Sequence, residues 1–203
     1  MGTEKIILRD VRHGGPRSRL RLLAPLRYLR IHHPEKTLYD FVIPFGSGLA
    51  AWLVYRILFP DLAIFSDAGL VKYTRDLLIM AVPFMVGALA TVAMGFPGQH
   101  IDRRPPGAEL VLDGRVLTLR QFVCYLLGYL CLVALVTLMA SIVAPLLQPS
   151  VARILVGAPL WKWAVHSLGT LVLFELLSIL IITTLWALYF LTDIVNRPAA
   201  ERD

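Results

Sequence analysis

Four long apolar blocks, Phe41–Phe59, Leu77–Phe96, Phe122–Leu147 and Trp163–Leu191, dominate this chain, and only the first and last contain a charge, Arg56 and Glu175. A hydrocarbon layer about 30 Å thick takes roughly 20 helical residues to cross, and each block reaches or approaches that length. Lipid offers no water to pair exposed backbone, so only helices and closed barrels span it. None of the blocks alternates apolar and polar residues as a barrel strand does. The sequence predicts an all-α membrane protein with four transmembrane helices over 41–59, 77–96, 122–147 and 163–191.

The rest of the chain leaves little for a separate soluble domain: of 203 residues, 57% are hydrophobic and 17% charged. The organisation expected is a basic arm (1–40), one membrane domain (41–192) with an internal loop at 97–121, and a short tail (193–203). The net charge of +6 is unevenly spread. Nine Lys and Arg precede the first block, four (Arg103, Arg104, Arg115, Arg120) lie in the 97–121 loop and two (Arg197, Arg202) follow the last block, so fifteen of the twenty share one side. The positive-inside rule makes that side cytoplasmic. Both termini are therefore expected inside, in a bacterial inner (cytoplasmic) membrane.

Two elements on that side are readable. From Ser18 to Ile31, leucines interleave with Arg19, Arg21, Arg27 and Arg30. That pattern predicts an amphipathic segment on the inner membrane face, drawn to anionic lipids of the inner leaflet. Pro25 interrupts it, so one helix or two short pieces both fit. In the loop, Glu109–Leu112 and Arg115–Leu119 flank Asp113-Gly114, the turn dipeptide of two-residue hairpins. An isolated two-stranded hairpin is marginal in water. The arm, the hairpin around Asp113, Gly114 and Arg115, and the tail together suggest one composite surface for a cytoplasmic protein partner. Arginines without a base-reading motif do not point to direct nucleic-acid binding.

Small residues mark where helices approach. Gly46-Ser47-Gly48 in the first block and Gly87, Thr91 and Gly95 at four-residue spacing in the second permit close backbone contact. They predict a homo-oligomer.

Glu175 is the side chain that most invites a chemical reading. It falls near the middle of the fourth block, where an ionised carboxylate is expensive and faces a bundle interior or a water-filled cavity. Tyr129, Thr137 and Ser178 are its candidate hydrogen-bond partners; lining an ion or proton pathway is the competing role. Arg56 lies nearer the outer surface and can snorkel outward. Ser47 and His166 differ in depth by about 10 Å, too far for a nucleophile–base pair. In the Gly-x-Ser-Gly motif of rhomboid-type peptidases Phe45 would replace the first glycine. The adjacent His32 and His33, with Glu35, diverge on a helix and lack a second cluster to complete a metal site. Cys124 and Cys131 are two turns apart, roughly 10 Å along the axis, which excludes a disulfide between them. With no phosphate-binding loop or metalloprotease motif, neither enzymatic activity nor a cofactor or metal is expected.

In size, span count and lack of catalytic signatures, the whole chain resembles the small four-span membrane subunits of bacterial antiphage systems, such as the KwaA component of Kiwa. That resemblance implies a membrane sensor or anchor working with a cytoplasmic effector. The alternative expectation is an oligomeric channel or transporter subunit with Glu175 lining the pathway.

Overall fold

A computed structural model describes residues 21–31, 36–59, 64–66, 69–95, 111–112 and 115–194. Four helices carry the fold: α1 (Ile43–Leu58), α2 (Leu70–Met94), α3 (Leu119–Ile154) and α4 (Pro159–Tyr189). With their flanking turns, all four are long and apolar enough to cross a membrane, as an integral membrane protein requires.

Local chemistry sets several of the helix ends. Pro44 has no N–H to give to the turn before α1. That turn, Leu38–Val42, is widened to π geometry, with the Ile43 N–H bonding the Leu38 carbonyl. Thr118 and Gln121 form a reciprocal capping box at the start of α3: the Gln121 N–H donates to Thr118 Oγ1 at 3.3 Å and the Thr118 N–H to Gln121 Oε1 at 3.2 Å.

Two limits read from sequence are corrected. The second helix begins at Leu70 rather than Leu77, because Lys72 and Asp76 are helical neighbours joined by a 2.8 Å ion pair across one turn. The expected loop at 148–162 is mostly helix. α3 continues through Pro145 and Pro149 to Ile154, and a four-residue turn (155–158) leads into α4. In that turn Gly157 has φ +90°, a conformation most side chains resist.

In space the helices run α2, α3, α4, α1, each packed on the next, while α1 and α2 make little contact. The α1–α4 pair is antiparallel with a regular register. Tyr39 stacks on Trp186 at 4.7 Å, Ser47 meets Ser178 at 2.5 Å, Trp52 meets Thr170 at 3.1 Å, and Arg56 lies over Trp163 at 5.1 Å. Extending this register, the α3–α4 turn projects about 10 Å past the end of α1. A large apolar core lies where the arm, α3 and the end of α4 converge; a smaller one (Tyr55, Ile64, Val71, Leu173) lies toward the α3–α4 turn.

The arm packs against the helices. Arg21–Arg30 is one 3-10 helix that includes Pro25. It sends Tyr28 and Ile31 into the core formed with α3 and α4, while Leu26 is exposed. Pro25 lies against Gly128 of α3, where an added Cβ would meet it at 3.9 Å. The loop contains a short antiparallel ladder, β1 (Val111–Leu112) with β2 (Arg115–Val116), pairing Val111 with Val116 and Leu112 with Arg115. Leu112 and Leu117 are buried in the same core.

Candidate functional site

The densest constellation of polar and aromatic side chains joins the arm to the helices. Tyr28 is wholly buried, and its hydroxyl donates to Asp40 Oδ1 at 2.9 Å. Lys36 Nζ lies 2.9 Å from Asp40 Oδ2, one helical turn back, and 4.2 Å from the centre of the Tyr28 ring. The tyrosine ring stacks on Tyr129 of α3, 5.1 Å between centroids. Lys36 and Asp40 are only 4% and 7% exposed, so this ion pair is withdrawn from solvent. Burial pushes the Tyr28 phenol well above its ordinary range, the Asp40 charge adding to the effect. Burial also lowers Lys36, against the opposing pull of Asp40. The cluster therefore clasps the arm to α3 and to the turn before α1, with a charge pair that is stable only while both partners are present.

A polar seam runs between α1 and α4. Ser178 Oγ donates to the Pro44 carbonyl at 2.7 Å, and Ser47 Oγ, 2.5 Å from Ser178, is also 2.8 Å from the Ile43 carbonyl. Further along, Trp52 Nε1 donates to Thr170 Oγ1 at 3.1 Å. Such bonds hold helices together where lipid offers no competing water. Gly48 sits in the middle of the seam, where the Glu175 carboxyl of α4 lies against its backbone. A Cβ there would lie 2.7 Å from Glu175 Oε2.

Glu175 itself is half-buried, and its Oε1 is shielded with no hydrogen-bond partner. The three residues expected to serve it are engaged elsewhere. Ser178 bonds across the seam, Thr137 donates to the Val133 carbonyl of its own helix at 2.8 Å, and Tyr129 stacks under Tyr28. The faces of α3 and α4 turn them toward other partners. Gly48→Leu is expected to destabilise the chain by about 1–3 kcal/mol through overpacking, measured by denaturant titration in micelles. Glu175→Ala in the same chain should recover part of that loss. Gly48→Ala should cost less, since the carboxyl is the movable end of a flexible side chain.

The remaining candidates scatter. Gly46 and Gly87 face open space, with no atom within 4 Å of an added Cβ. Thr91 is exposed and donates to the Gly87 carbonyl at 2.9 Å, and the Gly95 carbonyl accepts from Arg120 at 2.8 Å. Thus of the small residues, Gly48 is used inside the chain, while the Gly46 and Gly87 positions are not. Arg30 is exposed and Arg27 half-buried. Arg19, Asp113, Gly114, and the His32, His33 and Glu35 cluster lie outside the described residues, as do the side chains of Arg21 and Arg115. Ser47 belongs to the seam, whereas His166 packs edge-on against Phe65 at 5.4 Å, twelve residues from Ser178 along α4. That separation is about 18 Å of helix, so no Ser–His pair forms.

Sequence reasoning missed the clasp. Its one legible signal was Lys36–Asp40, an opposite-charge pair at i,i+4 spacing just before an apolar block. Nothing local linked that pair to Tyr28. No protein-family model, curated protein or solved structure matches the chain.

Proposed function

We propose that this chain is a non-enzymatic integral membrane subunit, inserted with both termini in the cytoplasm of a bacterium. It self-associates and presents the basic arm, the loop ladder and the tail as one surface that recruits a soluble protein. The observation that carries this reading is the clasp: an arm bearing exposed Arg30 is wedged through Tyr28 between α3 and α4. A change in helix packing, whether caused by the bilayer or by a neighbouring copy, is transmitted to the arm because the same side chains hold both. Self-association draws support from α2, whose Gly87 faces open space and whose Leu77, Met80 and Phe84 are exposed. Resemblance to the four-span subunits of antiphage systems makes infection-induced membrane disturbance the stimulus in this proposal, with a cytoplasmic effector as the partner.

The test is stoichiometric co-purification from the native host in mild detergent, comparing the intact chain with Tyr28→Ala and with a chain lacking residues 1–31. The intact chain should bring down one cytoplasmic protein, and both changes should weaken capture at least tenfold. A chain that elutes alone, or a partner retained equally by all three, would contradict the reading.

A second reading rests on the unpartnered Glu175 oxygen in the α1–α4 seam: several copies forming a path for protons or cations. In vesicles, Glu175→Gln should then abolish a proton leak that the unaltered chain produces; an unchanged leak, or none in either, argues against it.

A further inference from the structure

At the end of the molecule opposite the arm, the projecting α3–α4 hairpin and Phe65 enclose a cleft of about 590 Å³, within the range of small-molecule sites. Its walls include Leu147 and Val151 of α3, Leu155 of the turn and Val165 of α4, and its polar groups are Gln148, Lys162 and His166. Among the described residues no acidic side chain lines it. Trp163 forms part of the wall, 59% exposed, with the Arg56 guanidinium 5.1 Å from its ring centre. The antiparallel register puts Trp163 level with the last turn of α1, which is where the apolar span ends. The cleft thus sits at the boundary between acyl chains and head groups, greasy on its walls and positively charged at its mouth.

We propose that this cleft binds one anionic phospholipid from the leaflet at the hairpin end. An acyl chain lies between α3 and α4, and the phosphate accepts hydrogen bonds from Lys162 and His166. A phospholipid fits because it presents a hydrocarbon chain and a negative group at this depth together, and because the charge of the described residues at the cleft mouth is of one sign. Trp163, held by Arg56, lies alongside the chain as an amphipathic wall.

Acyl chains brominated near the head group quench tryptophan on contact. The quenching that depends on Trp163 is obtained by comparing the full-length chain with its Trp163→Phe variant, in zwitterionic vesicles containing equal fractions of brominated phosphatidylglycerol or brominated phosphatidylcholine. The anionic lipid is expected to quench Trp163 at least threefold more effectively. Lys162→Glu with His166→Gln should bring the ratio to one while leaving quenching by the zwitterionic lipid unchanged, which shows that the hairpin is intact. Ala152→Phe, filling the cleft from α3, should lower quenching by both lipids. Equal quenching by the two lipids in the unaltered chain, or a preference that survives both variants, would overturn the proposal. So would loss of the preference on adding millimolar inorganic phosphate, because the site would then recognise a free anion rather than a lipid.

Discussion

Tyr28→Ala is expected to release the arm and to destabilise the chain by about 3–5 kcal/mol, the usual cost of truncating a fully buried aromatic. Two effects add. The ring loses its stack on Tyr129 and its contact with Phe122, whose ring centre lies 6.0 Å away. Removing the hydroxyl also leaves Asp40 Oδ1 without its donor inside the clasp. Tyr28→Phe separates the two, keeping the ring and losing only the bond to a charged acceptor, for about 1.5–3 kcal/mol. Limited trypsin digestion in nanodiscs reads the release directly. Cleavage after Arg27 and Arg30 should be slow in the unaltered chain and fast in Tyr28→Ala, with α3 and α4 still protected. Equal cleavage rates would mean that the arm is not held by Tyr28.

The second large effect concerns the charge pair. Lys36→Ala strands the Asp40 carboxylate in a site that excludes water, and breaking such a pair from one side costs about 3–5 kcal/mol. Replacing both partners, Lys36→Met with Asp40→Leu, should recover most of that loss, since a well-packed apolar pair is often as stable as the ion pair it replaces. The pattern to look for in micelle denaturation is strong non-additivity: a destabilised single variant beside a near-native double. If both variants lose stability equally, the pair is not coupled as its 2.9 Å separation implies.

These residues also show how far sequence reasoning reached. The four spanning helices were legible because length and apolarity leave lipid-facing backbone few choices. The Lys36–Asp40 spacing was present in the sequence but was not read as a pair. Boundaries were less legible: Lys72 and Asp76 looked like loop residues when read for polarity, yet at four-residue spacing they support a helix. The third span was expected to end at Leu147, although α3 runs on through Pro149 to Ile154. Least legible were contacts between elements. Glu175 was expected to find a hydroxyl, but Thr137 bonds within its own helix, Ser178 bonds to α1 and the Tyr129 ring stacks on Tyr28, and the carboxyl rests instead on the bare backbone of Gly48. The arm was expected to lie on the membrane because its leucines and arginines interleave. That periodicity could not reveal that Tyr28 leaves the pattern to enter the core, where Asp40 and Tyr129 receive it. Gly48 carried a usable signal of close approach, shared with Gly46, and only the rotation of α1 decides which of the two meets α4.

The central claim is that the basic arm is built into the helix core rather than merely resting beside it. Hydrogen exchange of residues 21–31 in lipid nanodiscs measures this most directly. The Ile31 N–H, bonded to the Tyr28 carbonyl at 3.1 Å, and its neighbours should exchange slowly in the unaltered chain and at near-peptide rates in Tyr28→Ala. Near-peptide exchange across the arm of the unaltered chain would contradict the account.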